Sequence, residues 1–253
     1  MRVILLLMIC LFQAEAWAKH ELESLKFVSS HFAGISELKE QDGVLVQQGL
    51  GVDIVHELAR RLEIKIDIEI LPFKRALVSM QHKKYDAIFG VYKKTDRLVY
   101  LDFLDVAFYE DSYIFYSQVS SKLHWDGNMS QYPKDATIGW ITGWSYFDGL
   151  YAIKDKIKKV MVSNLEANIR MLEKGRVDFA VGPIRDINPL IAKLGLKNKF
   201  KMVSSGHGKT GNYIAFAKGR NLELQKKVAN ELALILKTPW YQQRLKHYKL
   251  ADL

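Results

Sequence analysis

The stretch IKIDIEI (64–70) sets isoleucine against a charged residue at every step. A strand with one buried and one wet face has that period, because successive side chains leave a pleated backbone on opposite sides. The flanking segments have the other period. Before it, Val55, Leu58, Ala59 and Leu62 fall at i, i+3, i+4 and i+7, one face of a helix. After it, Pro72 stands at a helix start, and Phe73, Ala76, Leu77 and Met80 repeat the spacing. DAIFGVY (86–92) then reads as a strand again. Strands alternating with helices need crossover connections, so the expected class is α/β with a mainly parallel sheet.

The second half repeats the theme. ATIGWI (136–141) reads as a strand, Gly143 punctuates it, and WSYFDGLYAI (144–153) begins a helix. VMVS (160–163) is a short strand. Ser163 and Glu166 form a capping box for a helix that Gly175 closes, and VDFAVG (177–182) follows as a strand. FKMVSS (200–205) and NYIAFAK (212–218) are later strands, and Asn221 and Thr238 are N-caps of two C-terminal helices, the second with Pro239 at its first position. No low-complexity linker separates the halves. Two α/β units without a linker imply two lobes face to face, and a cleft between lobes is a usual place for a small ligand.

The first residues are of another kind. Arg2 precedes an apolar run from Val3 to Phe12, and Ala16-Trp17-Ala18 is a small-residue cleavage signal, so residues 1–18 read as a secretory signal peptide cut after Ala18. The run is too short to span a bilayer. It holds Cys10, the only cysteine, and Ile9 before it is not the small residue that lipid attachment wants. An exported chain cut there has no disulfide and depends on its core. Lys+Arg 37 against Asp+Glu 28 gives a net charge of +9 and a pI near 9.4. Spread charge of this kind favours solubility and attraction to anions, and with no nucleic-acid-binding motif in an exported protein, nucleic acid is not an expected partner.

Catalytic signatures are missing from the string. GHGKTG (206–211) resembles the end of a phosphate loop, but Val203 stands where the first glycine belongs, and a strand, not a helix, follows. No metal-ligand spacing and no nucleophile elbow occur, so no cofactor and no metal is expected. Asp102, Asp105, Glu110 and Asp111 read as surface acids balancing Lys93, Lys94 and Arg97.

An ordered series of motifs carries a resemblance. Gly51-Val52-Asp53-Ile54-Val55, Phe73, KKYDAI (83–88), Thr95-Asp96-Arg97, ITGWSYFDGL (141–150), LEKGRVDFAV (172–181) and GNYIAFAK (211–218) together resemble the amino-acid-type solute-binding proteins of bacterial ABC transporters, family 3. The resemblance covers nearly all of the chain after the leader. It implies a two-lobed periplasmic-binding-protein fold of type II, each lobe a mainly parallel sheet flanked by helices, with the ligand cleft between lobes. Residues 19–115 and 188–253 would form lobe one and 116–187 lobe two, with hinge crossings near 116–120 and 183–187.

The resemblance also nominates a site. Arg97 takes the position of the carboxylate-binding arginine, whose rigid fork of donors suits a planar carboxylate. The alternative is an exposed arginine paired with Asp102 or Asp105. Lys93 and Lys94 read as solvated, and so does Arg75. Phe73 takes an aromatic platform position or serves only the apolar stripe of its helix, and Phe32 is a second platform. Gly90 stands where backbone meets ligand. Ser145 matches a position whose hydroxyl and N–H bind the carboxylate, and also reads as an N-cap. Trp144, in place of a small residue, implies a bulkier wall. Gly182-Pro183 stands where amino-acid binders place an aspartate for the ammonium group. Asp186 either substitutes for it or is a surface acid near a hinge, so a carboxylate ligand is better supported than an α-amino acid.

The expected function is non-catalytic binding of a small carboxylate-bearing solute, an amino acid or related organic acid, in the periplasm for ABC-type uptake. The protein would act as a monomer, with an inner-membrane permease or a receptor as partner. Two alternatives remain. One is a dehydratase-like enzyme on the same fold, with Glu110 or Asp186 as acid or base. The other is a sensory module without its own transporter.

Overall fold

The computed structural model describes residues 24–203 and 208–251. The expected signal peptide and its cleavage point lie outside the described residues, as do Ser204–His207 of the glycine-rich stretch.

The chain begins with β1 (Ser24–Ser29), a hairpin of β2 (Glu37–Gln41) and β3 (Val44–Gln48), α1 (Leu50–Leu62), β4 (Lys65–Ile70), α2 (Phe73–Gln81) and β5 (Ala87–Val91). A short β6 (Leu101–Phe103) and the long β7 (Tyr109–Gln118) follow. Then come β8 (Thr137–Ile141), α3 (Asp148–Ala152), β9 (Lys158–Val162), α4 (Leu165–Glu173), β10 (Phe179–Pro183), α5 (Ile184–Lys193) and β11 (Phe200–Met202). The chain closes with β12 (Lys209–Ala217), α6 (Leu222–Ile235) and α7 (Pro239–His247).

The alternation at 64–70 does become a strand. β4 pairs in parallel with β1 at the sheet edge, with Ile68 buried and Lys65, Asp67 and Glu69 exposed. β1 also pairs in parallel with β5, which makes the parallel centre of lobe one. Phe27, Ile54, Leu58, Phe216 and Leu232 form the core between α1, α6 and one face of this sheet. Val28, Ala76, Met80 and Ile88 form a second core beneath α2 on the other face. Lobe two repeats the plan, with β8 parallel to both β9 and β10 and helices on both faces.

Two long antiparallel strands join the lobes. Lys209–Asn212 of β12 pair with Tyr109–Ser112 of β7, after which β12 runs along β5 in lobe one and β7 runs along β10 and β11 in lobe two. Their pairing makes one continuous sheet through the molecule. The crossings therefore lie near 109–112 and 209–212, not near 116–120 and 183–187 as expected. Residues 183–203 stay in lobe two, where Ile187, Ile191, Leu196 and Phe200 pack with Ile114, Ile141 and Leu172. The proline and glycine at 182–183, with Pro189 inside α5, read as chain breakers in sequence. Tertiary packing accepts a helix that starts directly behind Pro183, because that residue's missing N–H falls at the cap.

Side-chain caps start three of the described α-helices. The Asn221 side chain accepts from Leu224 N at 3.1 Å, and that of Thr238 accepts from Tyr241 N at 3.3 Å. The cap of α4 is one residue later than expected. Asn164, not Ser163, accepts from Ala167 N at 2.8 Å. The β2–β3 turn carries Asp42 and Gly43, both at positive φ, the dipeptide favoured in two-residue hairpins.

Gly49 holds the site loop to α1. Its φ is 131°, and a Cβ there would lie 2.4 Å from the carbonyl carbon of Ile35. Behind it, Leu50 N and Gly51 N donate to Gly34 O and Ile35 O at 2.8 and 2.9 Å, so the first turn of α1 grips the loop that follows β1. Gly49→Ala is expected to lower unfolding free energy by about 3 kcal/mol, since backbone strain and a backbone clash act together. Urea denaturation measures it, and a loss well under 1 kcal/mol would contradict this reading of the approach.

Candidate functional site

The parallel strands of both lobes deliver their C-terminal ends to one place. Phe32 follows β1, Gly90 lies in β5 with Tyr92 just after it, Ser145 follows β8, and Asp186 follows β10. Open α/β sheets bind ligands outside the carboxyl ends of their strands. Here those ends line a cavity whose empty space, counted together with the part open to solvent, is about 420 Å³. All seven residues nominated from sequence line it: Phe32, Phe73, Gly90 and Arg97 from lobe one, Trp144, Ser145 and Asp186 from lobe two. Tyr92, Tyr113, Pro183 and Arg185 complete the wall and were not nominated. Gly90 has φ +76°, and a Cβ there would press to 3.3 Å from the Phe32 ring. Phe32 and Phe73 meet edge to face with centroids 5.6 Å apart, so both aromatic positions contribute to one wall.

Arg97 belongs to the 3-10 turn Thr95–Arg97 and is 3 % exposed. It is not the solvated arginine of the alternative reading. Asp102 instead accepts from Gly219 N and pairs with Lys218, each at 2.7 Å. One Arg97 terminal nitrogen donates to Tyr92 O at 2.8 Å, and the other reaches across the cleft to Ser145 Oγ at 2.9 Å. The guanidinium carbon stands 5.3 Å from the centre of the Phe73 ring. The buried Nε–H has no partner among the described residues. Burial pushes the Arg97 pKa below its ordinary value, although nearby Tyr100 and Asp96 oppose that shift. The result is a desolvated cation with donors to spare, an arrangement that favours an incoming anion.

Ser145 is not an N-cap. α3 starts at Asp148 with Phe147 at the cap position, and the Ser145 hydroxyl is free to receive Arg97. The Ser145 carbonyl accepts from Tyr113 OH at 2.9 Å, which fixes this turn against β7. Lys94 is a further correction. It points into lobe two and donates to Tyr146 O at 2.6 Å, whereas Lys93 and Arg75 are exposed. Glu110 is exposed, 3.9 Å from Lys209, and does not line the cavity. Gly208, the described residue before β12, accepts from Tyr113 N at 2.9 Å and packs under the Phe147 ring. Among the described residues no group of three or more His, Cys, Asp or Glu side chains could hold a metal ion.

Asp111 is the largest departure from the sequence reading. It is 1 % exposed, not a surface acid. Its carboxylate accepts from Tyr92 OH at 2.6 Å, Asn212 Nδ2 at 2.8 Å, and Arg185 Nε and Nη2 at 2.5 and 3.0 Å. Arg185 also donates to Ala33 O at 3.1 Å and Asp186 Oδ1 at 3.0 Å. Burial works against the Arg185 charge, but Asp186 and Asp111 outweigh it and hold the pKa well above the ordinary value. The Tyr92 hydroxyl, buried and near Tyr113 and Asp111, is likewise pushed well up.

Asp186 is half-buried beside this pair, with its side chain 16 % exposed, and is not a surface acid. Burial raises its pKa from 3.8 to about 6, with Arg185 opposing the shift and Asp111 and Glu37 reinforcing it. A carboxyl raised on folding stabilises the protein below its unfolded pKa, and that contribution is lost as pH rises through the folded value. Stability is therefore expected to fall between about pH 4 and 6 by on the order of 3 kcal/mol from this group alone. Asp186→Asn should flatten that slope in denaturation curves taken across the window; an unchanged slope would place the titration elsewhere. Asp111→Ala leaves the Arg185 charge buried and facing Asp186 alone, so it is expected to cost about 3–5 kcal/mol, and Arg185→Met in the same chain should restore part of it. A loss of less than 1 kcal/mol on urea denaturation would remove Asp111 from this role.

Solved structures share this architecture. A Streptococcus pneumoniae amino acid ABC transporter substrate-binding protein, AbpA, solved with bound L-arginine, superposes with a TM-score of 0.70 at 16% identity, covering 91% of this chain and 96% of that one. The substrate-binding protein of another amino acid ABC transporter gives 0.69 at 19% identity, over 89% and 98%. An ancestral amino-acid-binding protein described as a precursor of cyclohexadienyl dehydratase gives 0.66 at 18% identity, over 89% and 94%. At these identities the likeness shows the fold, the two-lobed α/β architecture of type II periplasmic binding proteins. No curated protein matches the sequence. The sequence pattern of bacterial extracellular solute-binding proteins, family 3, matches residues 36–251, and the chain is a member of that family.

Proposed function

We propose that the protein binds a small carboxylate-bearing solute, an amino acid or related organic acid, in the cavity between its lobes and does so without catalysis. The observation that carries this reading is Arg97, a buried cation on the cavity wall with an unpartnered Nε–H. A carboxylate could take that donor and the unused hydrogens of the fork, in a setting where little water competes. Ser145 would add its hydroxyl from the other lobe. Phe32, Phe73 and Trp144 would enclose the apolar part of the solute, and Gly90 would let it approach the backbone.

Asp186 is the group through which a zwitterion would be accepted, in place of the aspartate that Pro183 displaces. Its carboxylate faces the cavity and is only partly spent on Arg185. That supports an amino acid more than the sequence alone did, and the amino-acid binding named for the structural neighbours agrees with it. Family membership supports an extracellular or periplasmic setting and delivery to an ABC permease. The leader at 1–18 supports export. In this reading β7 and β12 form the hinge about which the lobes close.

A thermal-shift screen over amino acids, dicarboxylates and aromatic acids tests the proposal. Ligand present at a hundred times its Kd should stabilise by about 2.7 kcal/mol, or roughly 5–10 °C in a chain of this size. Arg97→Ala should abolish the shift from any carboxylate hit, and a full shift in that variant would remove Arg97 from the site. The second reading, a dehydratase-like activity, is favoured by one observation, the Asp186 carboxyl in the cavity with a pKa raised to about 6. Incubation with prephenate separates the two, because turnover would overturn the binding-only reading.

A further inference from the structure

The turn that presents Arg97 also carries a second cation across the cleft. Arg97 N donates to Lys94 O at 3.0 Å, so the two side chains spring from one tight turn. The Lys94 ammonium donates to Tyr146 O at 2.6 Å and Asp148 Oδ1 at 3.2 Å, and stands 4.5 Å from the centre of the Tyr151 ring. The Lys94 side chain is 14 % exposed, whereas that of Asp148 is fully exposed at 102 %. The carbonyl and the ring face therefore provide most of its hold, with the carboxylate as a screened third partner. The receiving segment is packed into the core of lobe two. Tyr146 is fully buried, its hydroxyl oxygen accepts from Ile141 N at 2.8 Å, and its ring packs on Trp140 at 4.3 Å between ring centres.

We propose that Lys94 is an interlobe latch and a positioning residue: its ammonium docks the Arg97 turn onto the Tyr146–Tyr151 side of lobe two, which favours the closed cleft and sets the aim of the Arg97 fork at Ser145. Separation of the lobes must break the Lys94 and Arg97 bridges together, because one turn bears both. Closure and orientation of the anion-binding fork are thus one event. Only the second half of this inference rests on the carboxylate reading.

Interlobe distance tests the latch directly and needs no ligand. Nitroxide labels are placed by Arg75→Cys in lobe one and Lys174→Cys in lobe two, both exposed, with Cys10→Ser removing the only native cysteine. Pulsed double electron resonance then gives the distance distribution. Lys94→Met keeps the apolar stem and loses every donor, and should shift the distribution to longer distance by more than its width in the labelled parent. Lys94→Arg should restore the parent distribution. Asp148→Lys, an exposed change that sets a cation beside the ammonium, should shift it in the same direction and decides the matter if Lys94→Met does not fold. Distributions that do not change in Lys94→Met or, where that variant fails to fold, in Asp148→Lys would overturn the latch. Failure of the carboxylate reading would appear separately, as acids that give no thermal shift while these distances respond as expected.

Discussion

Asp111 receives hydrogen bonds from Tyr92, Asn212 and one edge of the Arg185 guanidinium, its Nε and Nη2, and those donors come from different parts of the fold. Tyr92 ends a strand of lobe one, Asn212 lies on one crossing strand, and Arg185 opens a helix of lobe two. Asp111 itself sits on the other crossing strand. A carboxylate buried at the junction of two lobes is tolerable only when its acceptor sites are filled. Filling them pins the crossing strands, the β5 end and the start of α5 in one arrangement. That arrangement forms the floor of the cavity.

The same pairing decides which charges remain for a ligand. Arg185 and Asp111 neutralise each other bidentately, so neither is a free group despite lying at the wall. Arg97 has no carboxylate partner among the described contacts and spends its donors on a carbonyl and a hydroxyl. Asp186 shares the Arg185 cation with Asp111, and burial, which that shared cation only partly offsets, holds its proton more tightly. One under-paired cation and one under-paired acid thus face a small, mainly aromatic space.

Legibility in the sequence followed the range of the interaction. Alternation at 64–70 and the stripes beside it gave β4, α1 and α2, since each period reflects one neighbouring surface. Asn221 and Thr238 were readable because a cap acts over three residues. Arg97, Phe73, Gly90 and Ser145 were found through ordered motifs, and the structure gathers them with Phe32, Trp144 and Asp186 around one cavity. Asp111 was misread because a carboxylate in a polar-looking run carries no mark of its partners, two of which lie 74 and 101 residues away. Lys94 was misread for the same reason, its acceptor being 52 residues on. The return crossing was misplaced because Gly182, Pro183 and Pro189 signal a break locally, while the packing of Ile187 and Ile191 keeps the segment in lobe two.

By itself the amino-acid sequence determined the α/β class, the alternation of strands and helices in two units, and the residue types gathered at the strand ends. These depend on side-chain period and on backbone groups a few residues apart, which a linear string contains. Only the tertiary structure decided which charges cancel and which stay free, and where the chain passes between lobes. Desolvation and ion pairing depend on distances between residues remote in sequence, and those distances exist only once both lobes are packed.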